Sequence, residues 1–288
     1  MSSPAPYRLR LGEVVVELLC PDPDTAAALA RYFDRPSDPA APTVSLRLHM
    51  VEHDHQPTVP SSLILGKRLV PGGFDLAQGL VSGTYDPATG RGDLHVLDIL
   101  SRGRMTRIFE QILYQAFHAA CRRTGWDAAL VHSSAVVRDG RGFLFVGPSD
   151  AGKSTIADLS GDALVLNDEM NLVEFRPGGP WLLASPFNGH YRHKRPGEAP
   201  LAAILLPHKG PRHRLEPVGP GEAAAHVAAQ VAPPVPLDEL ADASTLTAML
   251  DTATRLVQAV PVRRMVFLPD AGFWPEVLRA FPLEQRGR

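Results

Sequence analysis

Phe143-Leu-Phe-Val146, then Gly147-Pro148-Ser149-Asp150-Ala151-Gly152-Lys153-Ser154-Thr155, then Ile156-Ala-Asp-Leu159 read in turn as an apolar β-rich run, a glycine-bounded loop and the start of a helix. The loop fits GxxxxGK[ST], and it lies where that pattern has chemical meaning, between a strand and a helix. Glycines at its ends let the backbone curl so that successive N–H groups converge on phosphate oxygens, and the helix that follows adds the positive end of its dipole. Lys153 is then placed to reach the β- and γ-phosphates of a nucleoside triphosphate, and the Ser154 hydroxyl to give one oxygen ligand to Mg²⁺. Gly147 to Thr155 is therefore the expected ATP-binding element, in a chain of α/β class.

Working outward, Ala163-Leu-Val-Leu-Asn167-Asp168-Glu169 ends a buried-looking strand in a carboxylate pair shortly after the loop. Phosphoryl transfer needs an acid to hold the metal and a base to take the acceptor proton, so Asp168 is the leading base or metal residue and Glu169 a metal contact. The plain alternative is a polar turn between two strands. On the other side, Ala129 to Arg138, a tight Asp139-Gly-Arg-Gly turn and Phe143 to Val146 read as a hairpin leading into the loop, with His132 on its first strand. His132 is a candidate catalytic or orienting residue beside its bland reading as a structural histidine. The run His190-Tyr-Arg192-His-Lys194-Arg195 can hold triphosphate, stabilise the transferred phosphoryl group or attract an acidic peptide, with Arg192 as the candidate finger. Only four of the 29 basic residues are lysines, so arginine clusters are partly a habit of this composition, and a solvated loop is the competing reading. Glu198, between Gly197 and Ala199, reads as a loop residue, with a further metal contact as the weaker alternative.

Taken together, Val131-His132-Ser-Ser-Ala, GPSDAGKST and LNDE resemble the kinase domain of HPr kinase/phosphorylase and its relatives, which share a fold like phosphoenolpyruvate carboxykinase. Ser185-Pro-Phe-Asn-Gly189 and Leu201-Ala-Ala-Ile-Leu-Leu206 continue the likeness, which covers about residues 104–270. The resemblance implies a P-loop kinase domain with a mixed sheet, a loop lysine on phosphate, a loop serine on Mg²⁺, and an acidic pair that supplies the acceptor-activating base and metal contacts: here Lys153, Ser154, Asp168 and Glu169. It also places a family histidine, matched by His132, beside the nucleotide. Three departures narrow it. Glu169 stands where the family has a second Asp, Asp150 where its loop usually has Gly, and no EIRGLG-like run follows Asp168. HPr as substrate and phosphorylase activity are therefore not expected. The acceptor class implied is a hydroxyl, such as a serine of a peptide or protein.

The whole chain fits this reading. Its 288 residues, 44% hydrophobic, suffice for two modest domains. A small α+β module over residues 1–103 is expected before an ATP-binding kinase domain over residues 104–288. In the module, Gly12 to Leu19 and Thr43 to Val51 read as strands flanking a helix at Ala26 to Phe33, with further strands to Leu100. An amphipathic helix from Met105 to Arg123 should bridge the halves. Beyond the acidic pair, strands at Leu172–Phe175, Trp181–Ala184, Leu201–Leu206 and Val262–Leu268 and helices at Gly221–Val231, Leu237–Val260 and Phe273–Ala280 are expected.

A formal charge of −2 argues against a general grip on nucleic acid or anionic lipid. Cys20 and Cys121, far apart and without CxxC spacing, exclude a disulfide scaffold and a structural zinc. No apolar run approaches the roughly 18 residues a membrane span needs, and the start lacks an export pattern, so a cytoplasmic protein is expected. Partners are then a peptide, protein or small-molecule hydroxyl acceptor, and a homo-oligomer is compatible with the sequence. The kinase reading has one rival from another class, a nucleotide-binding regulatory or scaffold protein with little or no transfer.

Overall fold

Apolar residues at every second position set the first sheet of this computed structural model, which describes residues 5–50, 62–65, 68–71, 81–86, 88–96, 100–101, 104–105, 107–232 and 243–282. The chain divides into two units, Met1–Asp127 with Pro233–Leu246, and Ala128–Ala232 with Thr247–Arg288.

The first unit carries β1 (Ala5–Leu11), β2 (Val14–Cys20), α1 (Pro23–Phe33), β3 (Val44–Met50), β4 (Ser62–Leu65), β5 (Arg68–Pro71), β6 (Val81–Asp86), β7 (Arg91–Val96), the short pair β8 (Leu100–Ser101) and β9 (Arg104–Met105), and α2 (Arg107–Thr124). Seven of these strands form a mixed sheet in the order β1-β2-β3-β7-β6-β4-β5. Helix α1 starts on Asp22, whose carboxylate accepts from Thr25 N at 2.8 Å. It buries Leu29 and Phe33, the latter stacked on Tyr7 of β1 at 6.0 Å. Helix α2 packs on β2 and β3 with Phe109, Ile112, Leu113, Ala116 and Phe117 fully buried. That packing places α2 in the first unit, whose opening stretch runs to Asp127.

The second unit contains β10 (Ala128–Arg138), β11 (Arg141–Val146), α3 (Lys153–Asp158), β12 (Leu164–Asn167), β13 (Met170–Arg176), β14 (Gly179–Leu183), β15 (Glu198–Lys209), β16 (Arg214–Pro217), α4 (Pro220–Ala228), most of α5 (Ala243–Ala259), β17 (Val262–Phe267) and α6 (Phe273–Ala280). The expected hairpin is present. Strands β10 and β11 pair antiparallel through Asp139 and Gly140, both left-handed at φ 51° and 71°, as a two-residue turn matched to strand twist requires. Two long strands serve two neighbourhoods each. β10 pairs with β13 through its first half and with β11 and β12 through its second, while β15 pairs with β14, then β11, then β17. Strand β11 thus lies between antiparallel β10 and parallel β15, covered on both faces. Leu144 and Val146 join a core with Ile204, Val227 of α4 and Leu256 of α5. Phe143 and Phe145 join the opposite core with Ile156 of α3 and with Phe273 and Trp274 of α6. Such two-sided burial explains why FLFV is a continuous apolar run.

The helix expected over Leu237–Val260 is described from Ala243; residues 233–242 lie outside the described residues. Among the described residues, no helix is long and apolar enough to cross a membrane.

Candidate functional site

The glycine-bounded loop leaves the end of β11 and turns into α3. Gly152 takes φ 97°, and a Cβ there would sit 2.7 Å from the Phe267 ring at the end of β17, so both conformation and space demand glycine. Asp150 is also left-handed, at φ 67°. Aspartate is among the side chains that tolerate this region best. Lys153 is only 7% exposed, and its Nζ donates to the carbonyls of Gly147 and Pro148 at 2.8 and 2.9 Å. Burial pushes its ammonium below the ordinary lysine range, opposed by the negative charges of Glu169, Asp168 and Asp150. Pro148, Ser149, Asp150 and Thr155 are exposed, and Ser154 is half-buried. A cleft of about 400 Å³ opens beside the loop, walled by Leu206 to Lys209 of β15, His226 of α4 and Arg264 of β17.

The acidic turn lies at the end of β12, held against β10 by the pairing of Ala135 with Asn167. Asp168 is 2% exposed. Its Oδ2 accepts the backbone N–H groups of His190 and Tyr191 at 3.1 and 3.0 Å, whereas Oδ1 is buried with no hydrogen-bond donor. A buried carboxylate oxygen without a donor is uncommon. Gly189 packs so tightly on this carboxylate that a Cβ would overlap Oδ1.

Glu169 is half-buried and faces His132, whose Nε2 lies 3.6 Å from Oε1. Burial raises the Glu169 carboxyl, but interaction with His132 and the positive charges of Lys153 and His190 outweigh it and hold the group below the usual glutamate range. The His132 ring is fixed from behind, with Nδ1 2.9 Å from Gln230 Oε1 and the backbone N–H on Gln230 O at 2.8 Å. With Nδ1 engaged by Gln230, Nε2 is the ring nitrogen that faces Glu169. Sequence reasoning missed Gln230, since a lone glutamine after an alanine-rich helix carries no motif.

The four groups Lys153, Asp168, Glu169 and His132 are thus electrostatically joined. The basic run is divided by the fold. Lys194 Nζ donates to Pro186 O, Phe187 O and Asn188 Oδ1 at 2.9, 2.6 and 2.6 Å, and Arg195 bonds through its backbone N–H to Val165 O at 3.0 Å. Both hold the 185–197 segment in place. Arg192 is exposed and makes no hydrogen bond or ion pair among the described residues, one position past the Tyr191 N–H that Asp168 binds. Glu198 opens β15 and pairs with Arg176 at 2.8 Å on the surface, a structural role.

The donor set suits a magnesium–triphosphate. Mg²⁺ characteristically takes one or two carboxylates and fills its octahedron with phosphate oxygens and water. Asp168, Glu169 and the Ser154 hydroxyl are the oxygen donors of that kind here, and among the described residues no three His, Cys, Asp or Glu side chains gather as a metal site. No protein-family model matches the chain, and no curated protein matches it either.

Proposed function

We propose that this chain is an ATP-dependent phosphotransferase that moves the γ-phosphoryl group to a hydroxyl, a serine of a peptide or protein in the simplest case, and that its second unit is a P-loop kinase domain of the HPr kinase-related, phosphoenolpyruvate carboxykinase-like type. The observation that carries the reading is the unpartnered Oδ1 of buried Asp168, electrostatically linked to the buried lysine of a GxxxxGKS loop. On this reading the loop N–H groups from Ser149 to Lys153 bind the triphosphate, and Lys153 exchanges its two backbone carbonyls for phosphate oxygens. Asp168 Oδ1 takes the acceptor hydroxyl proton. The hydroxyl oxygen then bonds to the γ-phosphorus as the bond from phosphorus to the β–γ bridging oxygen breaks, and ADP leaves. Ser154 and Glu169 would hold Mg²⁺, which would supply charge neutralisation on the phosphates, and Asp168 is kept for the proton. His132, fixed by Gln230, holds Glu169 in place, and exposed Arg192 is free to meet charge on the transferred group or on the acceptor.

A nucleotide-binding regulator with little transfer is the second reading, favoured by the left-handed Asp150 and by Glu169 in place of a shorter Asp. Purified chain with millimolar Mg-ATP separates the two. Thermal stabilisation that vanishes in Lys153→Ala, together with ADP release that rises when a hydroxyl acceptor is added, supports the kinase. Stabilisation without ADP release supports the regulator. No stabilisation by any nucleoside triphosphate overturns both.

A further inference from the structure

Asn167 is completely buried, and each polar atom of its side chain is engaged. Its Nδ2 donates to Ser185 Oγ at 3.0 Å and to the carbonyls of Ser185 and Phe187 at 3.3 and 2.6 Å; its Oδ1 accepts from Glu169 N at 2.8 Å. Ser185 Oγ in turn donates to Met170 O. One side chain therefore ties the acidic turn, at Glu169, to the start of the segment that returns over it, at Ser185 and Phe187. The same segment then presents the His190 and Tyr191 N–H groups to Asp168 Oδ2 and lays Gly189 against Oδ1. Lys194 closes the segment on its own carbonyls at residues 186 and 187. A buried amide with all its polar atoms satisfied rigidifies what it joins, so these bonds fix one arrangement of the two loops.

We propose that Asn167 is the positioning residue of this site: by fixing segment 185–191 to the acidic turn, it holds the Asp168 carboxylate in one orientation, with Oδ2 satisfied by two N–H donors and Oδ1 left without one. The role rests on the phosphoryl-transfer reading above, and its geometry can be tested apart from turnover. Asn167→Ser keeps an oxygen for Glu169 N but is too short to reach Ser185 and Phe187. Ser185→Ala removes one acceptor from Asn167 and one donor from Met170, and serves should the first variant fail to fold.

Two measurements on the full chain decide the matter. The first is amide hydrogen exchange. In both variants the His190 and Tyr191 amides should exchange about tenfold faster or more, while those of β11 keep wild-type rates. The second is basal Mg-ATP hydrolysis, with water as the acceptor: kcat should fall about tenfold or more with KM for Mg-ATP within about threefold of wild type, since the loop that binds triphosphate is untouched. Unchanged exchange at His190 and Tyr191 overturns the proposal whatever the rates do. So does a fall in kcat matched by an equal loss of ATP affinity, which would make Asn167 a residue of nucleotide binding. Faster exchange in a chain whose wild type neither binds nor hydrolyses ATP would sink the phosphoryl-transfer reading, and the catalytic role with it.

Discussion

Gly189 lies against Asp168 with no room for a side chain: the first carbon of one would overlap the carboxylate oxygen Oδ1. The backbone there needs no left-handed conformation, so the requirement is steric. Gly189→Ala must displace either the segment or the carboxylate, and the segment is anchored on both sides of residue 189, by the Phe187 carbonyl and the His190 N–H. Asp168 should therefore rotate, and its hydrogen bonds from His190 and Tyr191 should lengthen. The expected outcome is a loss of transfer or hydrolysis by about 10²-fold with Mg-ATP still raising the melting temperature, because a misplacement of about 1 Å in a reacting group costs rate before it costs binding. Wild-type turnover in Gly189→Ala would show that Asp168 Oδ1 takes no part in the reaction.

Asp150 makes a prediction about the loop itself. It holds a left-handed conformation at φ 67°, and its negative charge is felt by Lys153. Glycine relieves the conformational cost of about 1 kcal/mol but frees the unfolded chain by a similar amount, so folding stability should change by less than about 1 kcal/mol. Affinity should change more, since removing a carboxylate beside the triphosphate favours the bound anion. Asp150→Gly should bind Mg-ATP several-fold more tightly than wild type in calorimetry, and Asp150→Ala, which removes the charge but keeps the left-handed cost, should fall between them. Equal affinity in all three chains would place Asp150 outside the phosphate field.

Alkaline stability tests the first unit. Burial pushes the thiols of Cys20 and Cys121 and the Tyr7 phenol up to about 12. An unfolded chain gives up these protons from about pH 9 upward, while the folded unit keeps them, so folding stability falls as pH rises through that window. Each buried group contributes a slope approaching about 1.4 kcal/mol per pH unit. Denaturant titrations at pH 8 and pH 10.5 should show a lower midpoint at the higher pH, with a smaller loss in Cys20→Ala and Cys121→Ala. A pH-independent midpoint would mean that these thiols reach solvent in the folded chain.

What could be read in advance followed local rules. FLFV, the Asp139-Gly140 turn and GPSDAGKST each specify their own backbone, so strand, hairpin, loop and helix stand where the sequence puts them. Strand β1 carries a legible period-two signal that sequence reasoning missed, with Tyr7, Leu9 and Leu11 buried on one face and Pro6, Arg8 and Arg10 between them. Strand β16 gives no such signal: none of its four residues is fully buried. Within the site, Lys153 and Asp168 announce themselves by motif. Asn167, Gly189 and Gln230 do not, because their meaning lies in what the fold brings opposite them: a returning segment, a carboxylate, an imidazole. Lys194 and Arg195 were equally opaque, since the sequence shows only their charge and not the carbonyls that they serve.

The acidic pair yields the sharpest contrast. Asp168→Asn should fold normally, because an amide oxygen can take the place of Oδ2 and accept the same two N–H groups from His190 and Tyr191. Its NH₂ then occupies the position of Oδ1, where it cannot take a proton. Transfer should fall by about 10²-fold or more with ATP affinity little changed. Glu169→Gln acts elsewhere. It leaves Asp168 intact but loses the negative charge that faces His132 and Lys153, so its deficit should appear as a raised Mg²⁺ requirement that excess metal partly repairs. One Mg²⁺ titration of the two variants, with a single acceptor, reads both effects. Repair of Asp168→Asn by magnesium would reassign Asp168 from base to metal ligand, and would leave His132, whose Nε2 already faces the pair, as the group that takes the acceptor proton.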